Sequence, residues 1–178
     1  MRTLSMLLSL LLFSSTALAA TRPVPAACTA EINAQLVRFL QDQASNPSAH
    51  QDNVMICGRA LVDSFEQPAS HTGTGAHQVT LLSIPTADGS NLTVEIVSND
   101  SLDGIVKASA QDTVYAYGQA YITSSSDIRH GNIHPQLGVH DTHCATNSHM
   151  DDGWVVVNQT RYPAGSCSAQ PRHHRSQY

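Results

Sequence analysis

Hydrophobic residues recur at two spacings along the chain, first at the spacing of a helix and afterwards at that of strands. The helical part follows Thr29, a residue type that caps helix N-termini, and has Glu31 in its first turn. Its apolar positions are Ile32, Leu36, Phe39 and Leu40. Asn46 and Pro47 end the pattern, because proline cannot continue a helix. We therefore predict one N-terminal α-helix.

The rest of the chain predicts short β-strands, as where Leu92, Val94 and Ile96 alternate with polar residues. The five predicted strands cover 54–62, 77–84, 92–97, 113–122 and 154–158. Gly58 lies inside the first and indicates a bulge or a barrel bend. Residues 101–110 form a linker with one helical turn. Five strands with this insertion after the third predict a mainly β fold, a small OB-like (oligonucleotide/oligosaccharide-binding) five-stranded barrel. A β-sandwich would give a similar pattern.

The first 19 residues have the features of a secretory signal peptide. Arg2 begins a short charged region, 7–13 are apolar, and 17–19 are small residues suited to cleavage. The mature chain then begins at Ala20 or Thr21, and the protein is expected to be secreted, either periplasmic or extracellular. We divide the remainder into an N-terminal helical segment (20–53), the barrel domain (54–169) and a disordered tail (170–178). No later segment is apolar enough to span a membrane.

The charge of the chain argues against nucleic acid and anionic membranes as partners. The formal net charge is −5, and Lys107 is the only lysine. Binding to nucleic acid by counterion release requires clustered lysine and arginine, which this chain lacks. We expect a monomer whose partner is a small ligand or an extracellular protein.

Four cysteines in an oxidising compartment predict two disulfides. Three pairings are possible, and we favour Cys28–Cys57 with Cys144–Cys167, because each joins sequence neighbours across one structural unit. The second bond would clamp a histidine-rich loop to the C-terminal segment. The alternative is that Cys144 is a thiolate ligand or a nucleophile.

That loop carries the candidate chemistry of the chain. Between Gly138 and Trp154 lie three histidines, His140, His143 and His149, together with three aspartates. Three imidazoles and a carboxylate would suit zinc or copper, with room for a water molecule. The spacing matches none of the strong zinc motifs, and the alternative is that these histidines bind only loop carbonyls.

Two functions follow from this loop. The first is a non-catalytic binding protein of the secreted β-barrel type that holds a transition metal in the loop. The second is a metal-dependent hydrolase with the same three histidines as ligands and His77 or Asp141 as the general base. A hydrolase would need the imidazoles to converge on a cleft with an open ligand position.

Several short motifs lie between Arg59 and Pro163, with Gly58 just before them. Their residues are Gly58, His77, Gln78, Asn99, Asp112, Val114, Gly118, His140, Thr142, His143, His149, Asp152, Gly153, Trp154, Tyr162 and Pro163. In this order they resemble the pattern of the domain of unknown function 3465 family of small secreted bacterial proteins. The chain departs from the pattern at Asp141, where the family has Trp, and at Cys144 and Ser98, where it has His. The resemblance implies an exported small β-barrel-like domain and no established activity.

Overall fold

A computed structural model describes residues 22–67, 75–123, 130–146, 150–165 and 167. These residues form one helix and eight strands. They are α1 (Ala30–Gln43), β1 (His50–Ala60), β2 (Phe65–Gln67), β3 (His77–Pro85), β4 (Asn91–Asn99), β5 (Thr113–Ile122), β6 (Leu137–His140), β7 (Trp154–Val157) and β8 (Thr160–Tyr162). The predicted signal peptide and the tail 170–178 lie outside the described residues.

Five strands close into a barrel in the order β1, β3, β4, β6, β5 and back to β1. Every pair is antiparallel except β4 and β6, which run parallel. The prediction of a mainly β, OB-like five-stranded barrel with an N-terminal helix is confirmed, and closure through the β1–β5 pair distinguishes it from a sandwich. Residues 100–112 contain a turn but no helix.

The fifth barrel strand is β6, not the Trp154 strand that the pattern suggested. β6 and β7 lie along the same edge of β5, where His140 is opposite Gln119 and Trp154 is opposite Tyr117. β7 is therefore an extension beside the barrel, and β8 pairs with it. A four-residue strand that contains Gly138 has too short an alternation to be recognised in the sequence.

The barrel interior is filled by aliphatic side chains from every strand of the closed ring. Fully buried members include Val54, Ile56, Leu82, Ile84, Val94, Ile96, Val114, Ala116, Ala120, Leu137 and Val139. Gly58 allows β1 to approach β3, since a Cβ there would lie 2.5 Å from the Ser83 carbonyl oxygen. The register irregularity of β1 lies between Gln51 and Val54, so the bulge that Gly58 was taken to indicate is not at Gly58.

Helix α1 packs on the barrel through Leu36 and Phe39, which both join the core. Asn33, fully buried, fastens the helix to two strands. Its Oδ1 accepts a hydrogen bond from the Cys57 backbone N–H at 2.8 Å. Its Nδ2 donates to the carbonyls of Cys57 at 3.1 Å and Pro85 at 2.9 Å. One amide side chain thus satisfies three backbone groups, two of them buried and that of Pro85 partly buried.

We expect Asn33→Ala to lower the free energy of unfolding by about 2 kcal/mol, because buried backbone groups lose their partners. Urea unfolding followed by circular dichroism measures this loss. The exposed Asn91 at the start of β4 offers a matched control, Asn91→Ala, which should change stability little. Equal effects of the two substitutions would contradict the assigned role of Asn33.

Both predicted disulfides are present, Cys28–Cys57 and Cys144–Cys167. The described residues contain no free cysteine, so the alternative of a Cys144 thiolate is wrong. Two disulfides indicate an oxidising compartment outside the cytoplasm. In the described part of the chain, α1 is the helix present, and it is not long and apolar enough to cross a membrane.

Candidate functional site

The histidine-rich segment leaves the barrel at the point where β6 ends and returns where β7 begins. Two glycines make room for it. A Cβ on Gly118 of β5 would lie 2.3 Å from the His140 carbonyl oxygen, and one on Gly153 would lie 2.3 Å from that of Asp141. The backbone of 140–142 is therefore packed directly against β5 at Gly118 and against Gly153. This packing holds the side chains of 140–142 in fixed positions.

Asp141 places its carboxylate between two imidazoles. Its backbone is in the left-handed region, with φ of 53°, which turns the chain immediately after β6. Asp141 Oδ1 lies 3.5 Å from His140 Nδ1 and 3.5 Å from His143 Nε2. The turn thus brings together two histidines that a continuous strand would point to opposite faces.

His143 has both ring nitrogens directed at oxygen acceptors. Its Nδ1 donates to the Cys144 carbonyl at 2.9 Å, while Nε2 faces Asp141. Burial alone lowers the pKa of His143, but the contact with Asp141 and the hydrogen bond to Cys144 outweigh it and raise the pKa above its ordinary value. In return, His143 holds the pKa of the Asp141 carboxyl below its usual range. His143 and Asp141 thus each favour the charged form of the other.

His140 is different, because burial is the main influence on it and lowers its pKa. Asp141 opposes this shift without reversing it. The imidazole contacts the edge of the Tyr121 ring, with ring centroids 5.0 Å apart. Its centroid also lies 6.1 Å from that of His50, an exposed residue at the start of β1. With Nδ1 against Asp141, the nitrogen left for another partner is Nε2.

Tyr121 spans the outer face of β6. Glu95, Gly138 and Tyr121 occupy one row across β4, β6 and β5. A Cβ on Gly138 would overlap the tyrosine ring, at 2.0 Å from its Cζ. The missing side chain lets the ring lie over the strand, and the Tyr121 hydroxyl donates to Glu95, whose carboxylate is buried. The Tyr121 ring is therefore held in a fixed position against the His140 imidazole.

A buried carboxylate lies beneath the segment. Asp103, only 2% exposed, accepts hydrogen bonds from Thr142 Oγ1 at 3.0 Å and from the Asn99 backbone N–H at 2.7 Å. Burial raises the pKa of Asp103 to about 6, although the nearby charge of His143 lowers it in part. Asp103 thus ties the β4–β5 connection to the site.

Further contacts hold the loop that follows the site. The Ala145 backbone N–H donates to Asp152 at 2.9 Å, and the Tyr117 hydroxyl donates to Asp151 at 2.6 Å. The Cys144–Cys167 bond clamps the loop to the C-terminal segment, as predicted. Asp151 and Asp152, two of the three aspartates in the segment, thus have a structural role that requires no bound ligand.

The predicted site residues are only partly assembled. His77 lies on β3 against Asn99 of β4, with 3.4 Å between His77 Nε2 and the Asn99 amide nitrogen. β4 separates its strand from β6, so His77 does not join His140. His149 lies outside the described residues. In the part of the chain that the structure describes, no three histidine, cysteine or carboxylate side chains already surround a common metal position.

Sequence reasoning missed four residues that surround the site, namely His50, Glu95, Asp103 and Tyr121. His50 was assigned to the segment before the first predicted strand, and Asp103 was assigned to a linker. Tyr121 and Glu95 were recognised only as strand residues. No local pattern relates them, because strand pairing creates their proximity.

The site therefore consists of a half-exposed imidazole, His140, supported by an ion pair on one side and a tyrosine ring on the other. We call His50, Tyr121, His140 and Asp141 the histidine face. No family model, curated protein or solved structure matches the chain, so this small disulfide-bonded β-barrel is assigned to no family by comparison and the resemblance above stays a prediction.

Proposed function

We propose that the protein is an exported, non-catalytic binding protein that holds a zinc or copper ion through His140. The observation that carries the proposal is the 3.5 Å contact of His140 Nδ1 with Asp141 Oδ1. Imidazoles that bind metals usually direct their second nitrogen at a carboxylate, which orients the ring and leaves the other lone pair for the metal. Asp141 has this role toward His140, and His143 holds Asp141 in place.

The arrangement supports binding better than hydrolysis. Asp141, one candidate for the general base, is paired with His143 and has a lowered pKa, which weakens it as a base near neutral pH. His77, the other candidate, lies on β3 beyond β4. His140 is 34% exposed at its side chain, on an outer face of the barrel. A partly exposed imidazole on a rigid frame suits capture of an ion from solution.

Metal binding by untagged protein tests the proposal. We expect isothermal titration calorimetry with zinc chloride and with copper sulfate to show binding, and His140→Gln to raise the Kd about 10-fold or more. His134→Gln, which alters an exposed loop histidine, is the matched control and should leave the Kd unchanged. Absence of binding by the unmodified protein, or equal Kd values for both variants, would overturn the proposal.

A further inference from the structure

We infer that the second imidazole of this metal site is supplied by His50 from β1, with Asp52 as an oxygen ligand, rather than by His143. The inference rests on the proposed metal-binding function and names the residues that complete it. His50 and Asp52 belong to the strand that closes the barrel against β5, the strand on which Tyr121 and Gln119 lie. They are far from the histidine-rich loop in sequence.

The distance between the two rings fits a shared metal ion. With a metal–nitrogen bond of about 2 Å, each imidazole centroid lies roughly 3.2 Å from the metal. Two such rings are then about 5 Å apart at a tetrahedral angle and about 6.4 Å apart when opposite each other. The observed separation of His50 and His140 is 6.1 Å. This separation lies between the two values, and His50 is exposed.

His143 cannot supply that second nitrogen in the observed arrangement. A metal needs a free lone pair on an accessible imidazole nitrogen, and both nitrogens of His143 already face oxygen atoms, Nδ1 the Cys144 carbonyl at 2.9 Å and Nε2 the Asp141 carboxylate at 3.5 Å. His143 is instead a positioning residue. It holds the Asp141 carboxylate, which in turn orients His140.

Asp52 is held at the same face by the neighbouring strand. Gln119 Nε2 donates to Asp52 Oδ1, and Gln119 is opposite His140 in the β5–β6 pair. Asp52 is exposed to solvent, where a hydrated ion has access to it. The Asp52 carboxylate gives this face negative charge that attracts a cation.

Two imidazoles and one carboxylate on an open face leave the remaining coordination positions to water. Nitrogen and oxygen donors of this kind bind copper(II) more tightly than zinc, following the general order of divalent metals. The expected ligand is therefore a hydrated divalent transition metal ion, with copper(II) preferred over zinc.

Copper titration with electron paramagnetic resonance tests this ligand set. All samples carry His173→Gln and His174→Gln, because adjacent histidines near the C-terminus can bind copper by themselves. We expect two coordinated imidazole nitrogens in this background protein and one after His50→Gln, together with a Kd raised about 10-fold or more. His143→Gln should keep both nitrogens and raise the Kd less.

The outcomes separate this inference from the proposed function. Loss of binding in His140→Gln with no change in His50→Gln would overturn the inference and leave the proposed function standing. Loss of one coordinated nitrogen in His143→Gln or His149→Gln, instead of His50→Gln, would also overturn it. No binding by the background protein would overturn both. Circular dichroism of each variant confirms that a lost nitrogen does not reflect unfolding.

Discussion

Gly153→Ala is expected to lower the free energy of unfolding by at least about 3 kcal/mol, at the upper end of overpacking effects. The added Cβ would lie 2.3 Å from the Asp141 carbonyl oxygen and 2.8 Å from the Thr142 Cα. Both are backbone atoms and cannot rotate away. The segment must shift, which also breaks the 2.8 Å hydrogen bond from the Gly153 N–H to the His143 carbonyl.

Gly89 provides a control that separates the steric overlap at Gly153 from the loss of stability expected whenever alanine replaces a glycine at positive φ. Gly89 lies in the β3–β4 turn at φ +83°, with no atom within 4 Å of an added Cβ. Gly89→Ala should therefore cost only the conformational strain, about 1 kcal/mol. Urea unfolding of both variants measures the difference. Similar midpoints for the two would mean that the close approach at Gly153 contributes little to stability.

Asp103→Asn is expected to remove a pH dependence of up to about 3 kcal/mol from the stability of the protein. Burial raises the pKa of Asp103 from its ordinary 3.8 to about 6, and two pKa units correspond to about 3 kcal/mol. The folded state binds this proton more tightly than the unfolded state does. The stabilisation is fully present below about pH 3.8 and is lost as the pH rises through about 6.

The measurement compares unfolding free energies of the two proteins at pH 4, 5.5 and 7. The unmodified protein should lose more stability over this range than the variant. His143 and Asp141 are present in both proteins, and because Asp103 also raises the pKa of His143, the comparison measures the Asp103 contribution together with its coupling to His143. Carboxyl-carbon NMR of the unmodified protein gives an independent check. An Asp103 pKa near 3.8 would contradict the prediction.

Local patterns were sufficient for most of the secondary structure. The spacing of Leu36 and Phe39 predicted α1, and the alternation of 113–122 matched the observed β5. The predicted strand 77–84 ends one residue before β3 does. These elements bury one face or stripe of a continuous segment, so their period is readable without knowledge of their neighbours.

β6 is a strand that local sequence patterns did not predict. Its four residues include Gly138 and are too few to show the alternation of a strand. The glycine is required by Tyr121, whose ring crosses the strand from β5. The reason for the residue thus lies on another strand, and no window along the chain contains both.

The fold and the candidate site were likewise predicted in part from local sequence and decided in part by tertiary structure. The sequence by itself determined that the protein is mainly β, with an N-terminal helix, two disulfides, and a dense histidine and aspartate segment after Gly138. Residue type and spacing carry this information, because each depends on nearby positions only. The tertiary structure alone decided that His143 is engaged at both nitrogens, that His77 lies apart, and that His50 lies beside His140. Strand register and barrel closure bring distant residues together, and these depend on how the whole chain buries its core.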